Sequence, residues 1–364
     1  MSSATVAMWL ALAIHCLGLP ITNESLREPK FSAETQNLPP RRLDIHFVYC
    51  GGMANRHRTF SVALWLSAGA ISLGLKSLTP FPVVRIALPT MTAGRRSWLR
   101  TLKFSRMYDL AHLRRASAFR GIPLFDTGSK CRTDLVLAPR EYGTGLVPWL
   151  AENLRSRSGC VTLVPNPSSP VSWKKCLFYY WDPLYPIAAP LREIQNEHLQ
   201  FHPQLRSLAL RAQATYPRYI AVHLRLDEDF IQLIYGRTMR GLLQGNALDR
   251  CILSRCPQCR SLPIYASLTE EVFRMECYKK WAASTIFRIF SRFTLWPRKR
   301  LGHEEWGAVE AMMGIASSRY LAAYQSTRSI YVVGARQWRN VTSRAGDFFW
   351  EKGCPGSLVL VPKK

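Results

Sequence analysis

The sequence predicts an α/β chain of two domains, and three observations carry that expectation. The apolar run Ile45-His46-Phe47-Val48-Tyr49 is halted by Gly51-Gly52 and followed by Phe60, Ala63, Leu64, Ala68 and Ile71 at helical spacing. Strand, glycine turn and helix in that order open an α/β domain. The alternation resumes past residue 203, where a helix leads into a second apolar run, Tyr219-Ile220-Ala221-Val222-His223-Leu224. A chain of 364 residues with 48% hydrophobic content has material for two domains of roughly 150 residues each.

Residues 1–22 read as a signal peptide or a single-pass membrane anchor. Ala4 to Ile21 are eighteen uncharged, mainly apolar residues, and the first charge comes at Glu24. No Lys or Arg precedes the run, while Ala11 and Ala13 offer small residues for cleavage, so both readings stand. Residues 23–43 form a linker or stem, polar and marked by Pro29 and Pro39-Pro40. The first domain, residues 44–203, continues past its opening helix with a helix around Leu110 to Ala118. Strand candidates follow at Asp134 to Leu137 and Val161 to Val164. After the helix ending near Ile71, Gly69, Gly74 and Pro80 break the pattern, and no strand is read directly behind it. The Pro-rich span Trp181 to Pro190 breaks the pattern and places the crossing between domains at about residues 181 to 203. The second domain, residues 204–364, opens with a helix that has Pro203 in its first turn. Leu205, Leu208, Ala209 and Ala212 share one face of it, and Tyr216-Pro217 stops it.

Lys and Arg number 49 against 24 Asp and Glu, a net charge of +25 that favours an anionic partner. The basic residues are spread out. The densest stretches, Arg95 to Arg120 and Arg298-Lys299-Arg300, read as solvated surface. Zinc-finger spacing and aromatic RNA-binding signatures are both missing, which argues against a nucleic-acid partner. Apart from Cys16 in the leader, nine cysteines are dispersed along the chain: Cys50, Cys131, Cys160, Cys176, Cys251, Cys256, Cys259, Cys277 and Cys354. Dispersion suits disulfides in an oxidising compartment. A structural zinc at Cys251, Cys256, Cys259 and Cys277 is the competing reading. The sequons Asn23-Glu24-Ser25 and Asn340-Val341-Thr342 fit a lumenal protein.

Chemistry concentrates at His223-Leu224-Arg225-Leu226-Asp227-Glu228-Asp229, which follows the second apolar run directly. Open α/β sheets bind ligands outside the carboxyl ends of their strands. An arginine there presents a planar fork of donors to diphosphate oxygens, and Asp227 or Asp229 can orient it or contact a sugar. The bland alternative is a surface salt-bridge cluster beside a core strand. A second candidate is the turn Gly51-Gly52-Met53-Ala54-Asn55-Arg56, where glycines let backbone approach a ligand and a helix N-terminus favours an anion. The third is Tyr324-Gln325-Ser326-Thr327-Arg328-Ser329, either a phosphate-contacting loop or a plain turn.

In this order the three segments resemble the GDP-fucose protein O-fucosyltransferase family and related fucosyltransferases, over roughly residues 44 to 335. Gly51 to Arg56 is similar to the family's first motif, and Phe104 to Arg114 resembles its next landmark, an aromatic-Asp-apolar helix start. Tyr219 to Arg225 is the strongest match, a strand ending in His-x-Arg with acids beyond. Leu262 to Glu270 resembles the strand and loop that follow, and Glu310 to Arg328 the third motif. The resemblance implies two Rossmann-like domains facing across a cleft, the GT-B arrangement. It also implies inverting, metal-independent transfer of fucose from GDP-fucose to a protein or glycan hydroxyl in the endoplasmic reticulum or Golgi lumen. Arg225 would hold the β-phosphate and His223 would lie near the nucleotide. Asp227 or Asp229 would lie near the fucose or guanine, and Gly51, Gly52, Asn55 and Arg56 would face the donor. In the third motif Ala323 stands where glycine is common and Ser326-Thr327 replaces a serine pair, so phosphate contacts there are less secure. A Glu beside the first motif, present in some members, is replaced by Gly52-Met53-Ala54. Two alternatives remain: a transferase in which Asp227-Glu228-Asp229 binds a divalent metal as D-x-D, and an inactive lumenal binding protein of the same fold.

Overall fold

A computed structural model describes residues 42–47, 52–73, 83–88, 91–92, 101–119, 124–125, 133–136, 146–155, 159–164, 193–226, 240–244, 246–323, 326–339 and 348–349. These form two compact units. The first holds the described residues up to Met91 and from Thr101 to Gln200, and the second holds Thr92 and those from Phe201 onward.

The first unit runs β1 (Arg42–Phe47), α1 (Met53–Leu73), β2 (Val83–Ala87), α2 (Leu110–Phe119), β3 (Leu124–Phe125), β4 (Thr133–Val136), α3 (Leu146–Arg155), β5 (Gly159–Val164). Its five strands lie parallel in the order β3-β2-β1-β5-β4. β1 is central, and Leu43, Ile45 and Phe47 are buried on one face at the period of a strand. Asp44 sits in register with Arg85 of β2 and receives that guanidinium through both carboxylate oxygens, at 2.7 and 2.9 Å. β1 therefore begins at Arg42, inside the segment read as stem, because its charged Asp44 is neutralised by a neighbouring strand; Val48 and Tyr49 lie outside the described residues. The strand expected to be lost after Ile71 is present farther along, as β2 beyond Pro82. α2 starts as the sequence indicates, with the Asp109 carboxylate accepting from the His112 amide at 3.0 Å.

The second unit runs α4 (Pro203–Thr215), β6 (Ile220–His223), α5 (Ala247–Arg255), β7 (Ile264–Ser267), α6 (Glu270–Arg274), α7 (Glu276–Ser284), β8 (Ile289–Phe290), α8 (His303–Ala316), β9 (Arg319–Ala322), α9 (Thr327–Trp338), β10 (Phe348–Phe349). Its strands are again parallel, in the order β8-β7-β6-β9-β10. α4 keeps Pro203 in its first turn and buries Leu205, Leu208, Ala209 and Ala212, as their spacing requires. Every residue of β6 and of β7 is buried, which is why both are mainly apolar up to the polar residue, His223 or Ser267, that ends them.

Close packing and buried hydrogen bonds lock α8 to β9 and α9. A Cβ on Gly314 would stand 3.0 Å from side-chain carbons of both Tyr320 and Val332, so any larger residue there requires one of them to give way. Arg336 of α9 is fully buried and donates to the carbonyls of Gly314 and Ile315 at 3.2 and 2.9 Å and to that of Ser317, satisfying the end of α8. Between α5 and α7, buried Asp249 accepts from Trp281 Nε1, the Thr285 hydroxyl and the Ile286 amide at 2.8 to 3.0 Å. Cys256 and Cys259 form a disulfide and Cys251 is itself disulfide-bonded, which removes the thiolate set a zinc would need; Cys277 is free.

Candidate functional site

From β6 the second unit builds outward to β7 and β8, then returns to the other side of β6 with β9. Loops leaving β6 and β9 therefore diverge at their carboxyl ends, the switch point where open α/β sheets take ligands. β6 ends in His223, followed by Leu224 and Arg225. β9 ends at Ala322, and Ser326 is the N-cap residue of α9, whose first turn contains no acidic side chain. The positive end of that helix dipole is thus set beside the end of β6.

His223 is buried, and its Nδ1 shares a hydrogen bond of 2.9 Å with the hydroxyl of Ser329, itself fully buried one turn into α9. The Ser329 oxygen accepts from the Ala323 amide at 2.9 Å and lies 3.2 Å from the Tyr320 hydroxyl. One serine therefore ties the ends of β6 and β9 to the head of α9. Burial, and then the positive charges of Arg328 and Arg225, hold the His223 pKa well below the usual histidine range, so the ring is neutral at physiological pH. Arg225, half-buried, donates from Nη1 to the buried Ser326 hydroxyl at 3.3 Å.

Behind this edge lies an ionic cluster. Glu310 of α8 is buried, and its Oε2 accepts from Arg328 Nη1 and, at 3.1 Å, from the Ser267 hydroxyl at the end of β7. Its Oε1 is 3.7 Å from Arg292 Nε. Tyr265 is pushed well above the usual phenol range, first by burial and then by the Glu310 carboxylate, so its hydroxyl stays protonated. Three guanidiniums and one carboxylate, with a neutral imidazole and a helix N-terminus, make this an edge suited to a multivalent anion such as a diphosphate.

Of the sequence-derived candidates, the structure places His223 and Arg225 at the end of β6, with Arg225 hydrogen-bonded to Ser326 at the head of α9. Thr327 is the first residue of α9, without a described side chain. Asp227, Asp229 and Gly51 lie outside the described residues. Gly52, Asn55 and Arg56 belong to the first unit, where Gly52 is exposed and Asn55 and Arg56 stand in the first turn of α1, half-buried and buried. Ser329 is the residue that sequence reasoning passed over as a binding group. Its signal was its spacing of one helical turn from Ser326.

No protein-family model matches the chain, and no curated protein matches it. Among solved structures, it is similar to POFUT1 in complex with GDP-fucose, at 9% identity and a TM-score of 0.49, over 81% of this chain and 94% of that one. A second POFUT1 structure, in complex with GDP, shares 8% identity at a TM-score of 0.49 over 86% of this chain and 99% of that one. A mutant of Arabidopsis thaliana FUT1 in complex with GDP shares 12% identity at a TM-score of 0.42, over 92% of this chain and 78% of that one. Likenesses this distant assign no residue, and the site rests on the chain's own geometry.

Proposed function

We propose that this chain is an inverting, metal-independent glycosyltransferase that moves fucose from GDP-fucose to a hydroxyl of a protein or glycan. The carrying observation is Arg225, set just beyond the end of β6 at the switch point and hydrogen-bonded to Ser326 at the head of α9. The reading also draws on the sequence, where Tyr219 to Arg225 resembles the family's His-x-Arg motif. The GT-B arrangement implied by that resemblance belongs to the same proposal.

Cleavage of the glycosidic bond leaves extra negative charge on the departing GDP. A preorganised guanidinium and helix N-terminus stabilise charge at the place where it develops, which accelerates the chemical step rather than only tightening binding. Neutral His223 contributes a hydrogen bond at the nucleotide and no charge. Deprotonation of the acceptor hydroxyl falls to Asp227, Asp229 or a water in this scheme. The reaction runs in the endoplasmic reticulum or Golgi lumen, a reading supported by the disulfide-bonded cysteines and by the sequon at Asn340.

The test is transfer and donor hydrolysis with a panel of GDP- and UDP-sugars. Activity confined to GDP-fucose is expected. Activity with a UDP-sugar alone would reassign the donor, and binding of GDP-fucose without turnover would leave a lumenal binding protein. Endoglycosidase treatment of protein from a eukaryotic secretory host should increase its gel mobility; unchanged mobility with cytosolic fractionation would remove the lumenal assignment.

A further inference from the structure

The neutral ring of His223 carries one proton, and which nitrogen holds it decides what the ring can do. A bare nitrogen accepts a hydrogen bond, and a protonated one donates. Nδ1 is engaged by the Ser329 hydroxyl at 2.9 Å. Nε2 makes no hydrogen bond among the described residues, although the histidine is only 4% exposed, at the carboxyl end of β6. A nearly buried ring nitrogen with no protein partner is a position for a ligand to fill.

The partners of Ser329 bear on that proton. Its oxygen has two lone pairs and one hydrogen. The Ala323 amide can only donate, and it fills one lone pair at 2.9 Å. The Tyr320 hydroxyl, 3.2 Å away, fills the second when it donates, which leaves the Ser329 proton for His223 Nδ1. The ring proton then sits on Nε2. Reversing both hydroxyls would put it on Nδ1 and leave a bare lone pair at Nε2. Such a lone pair repels a diphosphate oxygen, which carries no proton at neutral pH and only accepts.

We propose that Ser329 is a positioning residue for the donor: by donating to His223 Nδ1 it fixes the ring proton on Nε2, from which His223 donates to an oxygen of the diphosphate. The inference rests on the GDP-sugar reading above and deepens it. Tyr320, Ala323 and Ser329 are buried with His223, so water does not compete for the order of these hydrogen bonds. The competing account makes Ser329 a plain tie between β6 and α9, indifferent to the tautomer. The two accounts differ in which ring nitrogen matters for binding.

Side-chain nitrogen NMR of the full chain labelled at histidine reads the tautomer directly, with the His223 signals assigned by their loss in His223→Gln. Wild-type protein should show a protonated Nε2 and a bare Nδ1, with and without GDP; the reverse pattern overturns the proposal. Without GDP, Ser329→Ala should average the two nitrogen signals as the second tautomer becomes populated. Ser329→Thr, which keeps the hydroxyl, should restore the single pattern. An unchanged pattern in folded Ser329→Ala overturns the role of Ser329. Should that variant fail to fold, Tyr320→Phe frees one lone pair of Ser329 at little change in volume and should give the same averaging; an unchanged pattern there counts equally against it.

Calorimetric titration with GDP then locates the working nitrogen, each variant being checked for folding by circular dichroism. A glutamine amide reaches the place of Nε2 and donates there, whereas an asparagine amide reaches only that of Nδ1 and keeps the tie to Ser329. His223→Asn should weaken GDP about 10-fold, and His223→Gln should recover most of that loss. Full affinity in His223→Asn with loss in His223→Gln would leave only the structural tie and remove this inference alone. Wild-type protein that ignores GDP would remove the donor reading itself.

Discussion

Each unit of the chain buries a histidine near its central strand, and the two histidines are alike in titration but not in company. His57, in α1, shares hydrogen bonds with the Tyr108 hydroxyl at 3.2 Å and the Gln195 carbonyl at 3.0 Å. Its surroundings are aromatic, with Phe60, Phe104 and Tyr108 packed ring to ring. His223, at the end of β6, is bonded to Ser329 and flanked by the charges of Arg225 and Arg328. Desolvation is the largest cause of the lowered pKa in both. A depressed histidine pKa therefore marks burial, and only the neighbouring guanidiniums and the open carboxyl edge mark a site. His57 holds a core together, whereas His223 lies at the edge proposed to take the donor.

The largest expected effect lies on the His223 side. Arg225→Ala should lower kcat/KM on the order of 10²-fold or more, because a bidentate charged contact and stabilisation of the leaving group are lost together. Arg225→Lys should rescue little, since an ammonium lacks the planar fork. Arg298→Ala, exposed before α8, serves as the matched change in net charge and should leave kcat/KM unaltered. Near-wild-type efficiency in folded Arg225→Ala would erase the contrast between the two histidines, and equal damage from Arg298→Ala would point to general attraction of the donor.

The next effect lies on the His57 side and concerns stability. Its pKa falls from 6.5 in the unfolded chain to about 4 in the fold. Above pH 6.5 neither state binds the proton and the fold is fully favoured. As pH drops from 6.5 toward 4 only the unfolded chain gains it, and roughly 3 kcal/mol of stability is lost. His223 acts in the same direction. Urea denaturation midpoints across this window should fall with acid, and His57→Gln should flatten the slope without changing donor affinity. A midpoint constant between pH 7 and 5 would contradict the buried neutral ring.

Removing one hydroxyl from each histidine sharpens the comparison at smaller magnitude. Ser329→Ala should cost about 1–3 kcal/mol by leaving buried donors and acceptors unpaired, and should slow transfer because the end of β6 loses its tie to α9. Tyr108→Phe should cost about 1 kcal/mol and leave transfer unchanged. Equal kinetic effects of the two would mean that Ser329 acts only through stability. Chelation should have the smallest effect of all. If charge on the diphosphate is met by Arg225 and the head of α9, EDTA leaves the transfer rate where it was; loss with EDTA and recovery with Mn²⁺ would favour the Asp227-Glu228-Asp229 alternative.

What the sequence determined by itself was the set of elements whose local physics is self-sufficient. Pro203 starts a helix whose apolar face is visible at Leu205, Leu208, Ala209 and Ala212, and β6 shows as an apolar run because a parallel strand is covered on both faces. His223 and Arg225 were legible as a candidate site because they stand at the end of that run. Tertiary structure decided what depends on residues far apart in the chain. β1 extends back to Arg42 because Asp44 meets Arg85 across the sheet, a partner no local window contains. Ser329 becomes a ligand of His223 across a separation of 106 residues only because β9 pairs beside β6, Arg319 opposite Ile220. Glu310 stands out in sequence as a charge inside an apolar helix, but its direction toward Arg328 and Ser267 follows from the packing of α8 behind the sheet. Strand order and side-chain partners are settled by non-local hydrogen bonding and burial, which a linear pattern of propensities does not encode.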